Sequence, residues 1–510
     1  MTTNPIVRCG SDQRTHDEIR LRATRLAGAL TEMGVTVGDR YALLLRNDLS
    51  FVEITLAGAA IGAIPVPVNW HWRGDELTHL LTDSGSKVVF VHTSLLPGLE
   101  EILPPGVQVV EVAEPVTLTE AYGIAPTRLT SRYRDVESLI ASHDPATTPV
   151  TDPPLAVIYT SGTTGRPKGI LRQPFAPGAA EETLGLMLPI IGLGPGMRTL
   201  IPAPLYHTAP NIHLVFAFAL GCDIDIMVKF DAEKMLRMVE QHRIQHIQMV
   251  PTMFVRMVKL PKEIRTRYDL SSLEAVVHAA APCPPDVKRE IIEWFGPIVL
   301  EYYGGSETSA CVSCTTAEWL EHPGTVGRPI GGADVRILDP IDHHEMPVGE
   351  TGDIYIKPLP SWPDFTYLGN DAKRREMEVD GYLNVGDIGY VDADGFLYLS
   401  DRRNDMVISG GVNIYPAEIE SCIIGIDGVS DVAVFGIPDP EFGESLAAHV
   451  EVAPATTLTD DDIRSYVAAR LAGYKVPKVV VFDDHLPRHD SGKLVKRKLR
   501  ELYWRDRSDA

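Results

Sequence analysis

The segment Thr160-Ser-Gly-Thr-Thr-Gly-Arg-Pro-Lys-Gly169 gathers four hydroxyls and three glycines into ten residues. Glycine lets a backbone approach an anion closely, and hydroxyls and N–H groups donate to phosphate oxygens. Lys168 adds a point charge. The pattern differs from the loop GxxxxGK[ST], because Arg166 and Pro167 separate Gly165 from Lys168. Taken alone, the plainer alternative is a solvated polar turn.

Three further groups carry potential chemistry. Glu307 closes the turn Tyr302-Tyr-Gly-Gly-Ser-Glu307, where the backbone can come close to a nucleotide. Asp387 sits beside Gly386, as a turn residue or as an acceptor for a pair of hydroxyls. Lys493 follows Ser491-Gly492 in a run with Lys496, Arg497, Lys498 and Arg500, which by residue type is a solvated basic face.

Helical and strand patterns alternate over the first 400 residues. Asp17 to Met33 has helical spacing ending at Gly34, Tyr41 to Leu45 reads as a buried strand, and Phe51 to Gly62 is again helical. Ala63 to Val68 and Lys87 to Val91 follow as strands. This alternation predicts α/β layers with largely parallel sheets. Strand Leu155 to Tyr159 feeds the hydroxyl-rich segment. From about Asp405 a small α+β pattern takes over. Val429 to Ile437, Ala447 to Val452 and Val479 to Phe482 are strand-like. Thr459-Asp-Asp-Asp462 opens a helix with an N-cap and an acidic first turn. The last basic stretch, Lys493 to Leu502, is helical. The polar turn Asp401-Arg-Arg-Asn-Asp405 is the expected boundary, giving domains 1–403 and 404–510.

The chain has 510 residues, 44% hydrophobic and 23% charged, with net charge −22. The length allows several domains, and the acidity argues against a nucleic-acid surface. Any anion site must be local. Six cysteines are sparse and fit a reducing cytoplasm. Cys311-Val-Ser-Cys314 stands without a second pair or nearby His, so it reads as small buried side chains rather than a zinc site. No signal pattern or membrane-spanning run is read. Ile54 to Val68 is too short and contains Pro65 and Pro67.

Over nearly its whole length the chain resembles the adenylate-forming superfamily of acyl-CoA synthetases, peptide-synthetase adenylation domains and luciferases. The hydroxyl-rich segment is similar to the family's phosphate loop. Pro204-Leu-Tyr-His207-Thr, His278-Ala-Ala-Ala-Pro282, Tyr302-Tyr-Gly-Gly-Ser-Glu307-Thr, Gly324-Thr-Val-Gly-Arg-Pro329, Gly349-Glu-Thr-Gly-Asp353, Asn384-Val-Gly-Asp387, Asp401 to Glu418 and Pro487-Arg-His-Asp-Ser-Gly-Lys493 follow in the family's order. The resemblance implies a large N-terminal domain of layered α/β sheets with a small β subdomain, then a small mobile α+β C-terminal domain. It implies ATP, Mg²⁺ and coenzyme A, with acyl-AMP formed first and the acyl group then passed to the thiol.

Residue by residue, the resemblance assigns catalysis to Lys493, Glu307, Thr160 and Lys168, with Glu307 and Thr160 at the metal. Nucleotide and CoA contacts fall to Ser161, Gly162, Thr163, Thr164, Gly165, Ala280, Ala281, Pro282, Glu301, Tyr302, Tyr303, Gly304, Asp387, Arg402, Gly410, Gly411, Tyr474 and Lys475. The acyl pocket takes His207, Ala209, Ala279, Gly305, Ser306 and Thr308, and the hinge Asn404. The chemistry is coherent, because a carboxylate and a triphosphate repel, and cations near the reacting phosphorus lower that barrier. Asn404, Val385 and the pair Gly305-Ser306 depart from the common family pattern and bear on the balance of the two half-reactions.

Abundant small residues around the pocket suit a bulky, mostly apolar acid. Tyr206-His-Thr-Ala-Pro-Asn211 and Asn69-Trp-His-Trp-Arg-Gly74 are similar to ligases for steroid, bile-acid and other polycyclic terpenoid acids, which are favoured over fatty or aryl acids. Competing readings are an enzyme that mainly thioesterifies supplied acyl-AMP, a loader of a separate carrier protein, a luciferase-type oxygenase, and a nucleotide-binding module without turnover. A homodimer is allowed, and no nucleic-acid partner is expected.

Overall fold

The computed structural model describes residues 4–146, 154–160, 167–403, 405–409, 412–454, 456–488 and 494–504. A first sheet of five strands is wholly parallel, in the order Ile64–Pro67, Arg40–Leu44, Val88–His92, Gln108–Val112, Arg134–Asp135. Local signals punctuate its helices. Thr15 and Glu18 form a capping box before His16–Glu32, and Gly62 closes Leu49–Ile61 in the left-handed conformation.

The second sheet changes character along its length. Strands Ile6–Cys9, Asp223–Ile226, Arg198–Ile201, His246–Met249, Ala275–His278 and Val299–Tyr303 run parallel. Helices Ala232–His242, Pro251–Val258 and Pro285–Phe295 intervene in sequence. Beyond Tyr303 the sheet turns antiparallel through Val312–Cys314, Thr325–Pro329, Leu397–Arg402, Tyr382–Val391, Gly352–Lys357 and Asp334–Leu338. The expected alternation over 400 residues therefore stops near residue 300. Most connections after that point are short and carry no crossover helix, so neighbouring strands must reverse direction.

A third sheet joins Ile158–Thr160, Lys168–Arg172 and Phe365–Tyr367, all antiparallel. The chain then leaves the large sheet at Arg402 and enters another at Val407–Ser409. That C-terminal sheet contains Val412–Ile414, Gly443–Val452, Val429–Asp439 and Val479–Asp483, with its own core around Ile419, Ile423, Val434, Val450 and Ile463. A large N-terminal domain and a small C-terminal domain result. Cys311 and Cys314 are buried free thiols. Among the described residues no helix is long and apolar enough to cross a membrane.

Candidate active site

The domains and the small sheet enclose one cleft of about 1900 Å³. At its phosphate-loop end Thr160 and Lys168 face each other across a hairpin, direct partners in register. The neighbouring strand brings Tyr367, whose ring lies 5.4 Å from Lys168 Nζ and whose hydroxyl donates to Glu307 Oε1 at 3.0 Å. Burial, with Lys373 adding to it, draws the Lys168 ammonium below its ordinary range, while Glu307 opposes this. Four residues beyond Lys168 on the same strand, Arg172 donates to the Glu307 carbonyl at 3.3 Å and to the Ser306 carbonyl. Its guanidinium lies 4.7 Å from the Trp362 ring, and burial lowers its pKa to about 10. It stays charged and ties the Glu307 turn to the hairpin. Sequence reasoning missed both Arg172 and Tyr367, because neither stands in a motif and their partners lie far away in the chain.

The turn itself is tight. A Cβ on Gly304 would lie 1.7 Å from the Ser309 carbonyl oxygen, so no other residue fits there. Thr308, expected in the acyl pocket, is fully buried behind the turn and accepts the Gly305 N–H at 2.8 Å. It braces the turn from behind and lines no part of the cleft. Gly305 and Ser306 do line it, and Ser306 shares a 2.6 Å hydrogen bond with Thr208.

Alternation along Val299–Tyr303 sends neighbouring side chains to opposite faces. The Tyr303 hydroxyl donates to Asp387 Oδ2 at 2.8 Å. Arg402, the register partner of Asp387, reaches Asp387 Oδ1 at 3.2 Å. A carboxylate, a phenol and a guanidinium thus meet at the cleft beside Ala279, Ala280, Ala281 and Pro282. Ala280 has φ +75, a strained conformation for a residue with a Cβ. Glu301 also borders the cleft, but its carboxylate is gripped by buried Lys288. That pairing fixes the Glu301 carboxylate at the cleft wall.

Tyr302 faces the other way, towards helices Ala179–Ile191 and Thr208–Ala219. Here His207, Ala209, Met187, Ile191 and Phe216 line the cleft. Its hydroxyl lies 2.8 Å from Gln248 Nε2, and Gln248 Oε1 lies 3.1 Å from His213 Nδ1. His213 Nε2 is 2.9 Å from Thr199 Oγ1, which is 2.8 Å from His246 Nδ1. Finally, His246 Nε2 is 2.8 Å from the Ile191 carbonyl oxygen. Burial lowers His246 to about 4 and His213 well below its ordinary value, so both imidazoles are neutral at pH 7. This chain of groups was not foreseen in the sequence, where the members are spread over residues 191 to 302.

The profile of the AMP-binding enzyme family matches residues 3–358, and that of the AMP-binding enzyme C-terminal domain matches 418–493. The chain belongs to this family. It is 33% identical to the long-chain-fatty-acid–CoA ligase FadD13 of Mycobacterium tuberculosis over 501 residues, covering 96% of this chain and 93% of that one. It is 34% identical over 502 residues to a feruloyl-CoA synthase of Amycolatopsis, covering 98% and 95%. Among solved structures, ATP-bound MatB from Rhodopseudomonas palustris superposes with a TM-score of 0.80 at 28% identity, covering 99% and 97%.

In this AMP-binding enzyme the C-terminal domain also walls the cleft, through Glu418, Asp431, Arg488 and Lys496 among others. Lys496 is partly buried and pairs with Glu420 at 2.8 Å. Asp401 accepts the Ala417 N–H at 2.9 Å and is raised by burial to about 6. Tyr474 is exposed and Lys475 pairs with Glu418; both lie off the cleft wall. Ser161, Gly162, Thr163, Thr164, Gly165, Asn404, Gly410, Gly411 and Lys493 lie outside the described residues.

Proposed function

We propose that this enzyme joins a bulky, mostly apolar carboxylic acid to coenzyme A, forming acyl-AMP from ATP on the way. The observation that carries this reading is the shared opening of three groups onto one cleft. These are the Thr160, Lys168 and Glu307 cluster, the Asp387 and Arg402 pair, and the apolar pocket beyond Tyr302. In the first half-reaction a carboxylate oxygen attacks the α-phosphorus and pyrophosphate leaves. Lys168, drawn in beside Glu307, meets phosphate charge from one side, and Lys493 supplies a second cation from the C-terminal domain. Asp387 accepts the two ribose hydroxyls, with Arg402 and Tyr303 fixing its orientation.

The donor set also suits Mg²⁺. One Glu307 oxygen carries the Tyr367 hydrogen bond, the other accepts none among the described residues, and Thr160 offers a hydroxyl. Hard oxygen donors of this kind, completed by phosphate and water, are what Mg²⁺ takes. Bound there, it supplies charge neutralisation to the phosphate oxygens.

In the second half-reaction the thiol attacks the acyl carbon and AMP departs, with no protein nucleophile. We place the domain boundary at 403/404 and the hinge at Asn404. Rotation there withdraws Lys493 and presents Gly410 and Gly411 to the pantetheine arm, with Tyr474 and Lys475 near its entrance. Ala209, Ala279 and Ala310 leave room for a wide acid, and polycyclic terpenoid or steroid acids are the favoured class. Six free thiols suit a reducing cytoplasm.

The test is a panel of fatty, aryl, steroid and diterpenoid acids with ATP, Mg²⁺ and coenzyme A, following pyrophosphate and thioester together. Thioester formation matched by pyrophosphate supports the reading. Pyrophosphate without thioester, rescued by a carrier protein, replaces coenzyme A as the acceptor. Thioester only from supplied acyl-AMP removes the first half-reaction.

A further inference from the structure

The protons in the chain of hydrogen bonds beneath the acyl pocket can be assigned from one end. The Ile191 carbonyl only accepts, so His246 Nε2 carries a hydrogen and donates to it. Neutral His246 then has a bare lone pair at Nδ1, and the Thr199 hydroxyl donates there. That commits the single Thr199 proton. His213 Nε2, on the other side of the same oxygen, must therefore donate to Thr199. Neutral His213 is left with a lone pair at Nδ1, which requires the NH₂ of the Gln248 carboxamide. The structure draws the Gln248 amide nitrogen toward Tyr302 and its oxygen toward His213 Nδ1; the proton accounting turns the amide over, so that the oxygen accepts from the Tyr302 hydroxyl. An amide's nitrogen and oxygen are alike in outline, so this accounting decides its orientation. The opposite orientation sets two imidazole lone pairs against one Thr199 proton and leaves a buried acceptor unmet.

Tyr302 is thereby left with a lone pair and no proton to offer. Among the described residues nothing else hydrogen-bonds its hydroxyl, and the residue lines the cleft. Beside the apolar Met187, Ile191 and Phe216 the cleft is also lined by His207, His213, His246 and Gln248, the last three held in the chain of hydrogen bonds, so the acceptor at Tyr302 adds a directional preference among acids. We propose that the Tyr302 oxygen is a subsite selecting acids that carry a hydroxyl donor on the part filling this pocket, over their methyl-ether and deoxy counterparts. This rests on the ligase reading above. Thr199 is buried away from the cleft and acts as a positioning residue, setting the amide orientation through His213.

The experiment measures acid-dependent pyrophosphate release by the full chain with ATP and Mg²⁺, using matched triplets. Suitable sets are 4-hydroxy-, 4-methoxy- and unsubstituted cinnamic acid, 12-hydroxy-, 12-methoxy- and plain dodecanoic acid, and a 3-hydroxy steroid acid with its methyl ether and deoxy form. In at least one set the hydroxy acid should exceed both others in kcat/KM by about tenfold. Tyr302→Phe should bring that ratio near one. Thr199→Val frees the amide to turn over, so the ether should gain on the hydroxy acid, whereas Thr199→Ser should keep the native ratio. An unchanged ratio in a folded Thr199→Val overturns the relay. Should that variant not fold, Tyr302→Phe decides. Release from several acids without preference in any set overturns this inference alone, while no release from any acid overturns the ligase reading along with it.

Discussion

Tyr302 and Tyr303 are neighbours on one strand, yet they serve opposite electrostatic settings. Tyr303 donates to a carboxylate that a guanidinium also holds. Tyr302 ends a series of neutral groups in which two imidazoles are kept uncharged by burial. The pleat of one strand thus separates a wall of charges from a wall without net charge, the one assigned here to phosphate chemistry and the other to the apolar part of the proposed acid. Placing ions on the second wall would add desolvation cost with no developing charge to stabilise. Polarity there is spent on direction instead, as a fixed pattern of donors and acceptors.

The largest effect should come from removing the two charges that the proposed function assigns to the phosphate chemistry. Lys493→Ala and Glu307→Gln should each lower acid-dependent pyrophosphate release by roughly 10²–10³-fold. Lys493→Ala should largely spare thioester formation from supplied acyl-AMP. Equal loss of both steps in Lys493→Ala would remove it from the first half-reaction.

Next is the neutral wall. A histidine whose folded pKa lies below its unfolded value binds a proton more readily after unfolding, so stability is present at high pH and lost as acid is added. For His246 the window runs from about 6.5 down to about 4, and the contribution is on the order of 2–3 kcal/mol. Urea midpoints followed from pH 7 to pH 4 should fall, and the doubly substituted His213→Gln, His246→Gln protein should show a shallower slope. An identical slope would mean that these imidazoles are not buried neutral.

On the charged wall, Asp387→Asn should raise the KM for ATP by about 10- to 100-fold through loss of charge-assisted hydrogen bonds to ribose. The mildest and most diagnostic test crosses the two tyrosines. Tyr303→Phe should raise the KM for ATP about 3- to 10-fold, the value of one hydrogen bond, and leave the ranking of acids as it was. Tyr302→Phe should change that ranking and leave the KM for ATP nearly constant. A shared phenotype would collapse the distinction between the walls.

The parts of the cleft wall that could be read from the chain lie in contiguous motifs. Thr160, Lys168, Glu307 and Asp387, each singled out from a few adjacent residues, all line the cleft. The first two N-terminal helices were legible too, since Gly34 and Gly62 mark their ends locally, whereas the capping box of Thr15 and Glu18 was not read. The groups that escaped act over long separations. Arg172 meets the carbonyls of Ser306 and Glu307, Tyr367 meets the Glu307 carboxylate, and Thr199 meets two histidines on different elements. Thr308 was misplaced for a related reason. A motif states that a residue is near the turn, but not which side of the backbone its hydroxyl takes.

The pairing of Thr160 with Lys168 carries one more consequence, for length variation. Side chains alternate along a strand, so inserting a single residue between Lys168 and Arg172 would flip Arg172 relative to Lys168 and detach it from the Glu307 turn. The strand from Lys168 to Arg172 therefore works as a ruler that sets the reach of Arg172 to the Glu307 turn. Single-residue insertions or deletions between Lys168 and Arg172 should damage the site, whereas two-residue changes keep both side chains on one face.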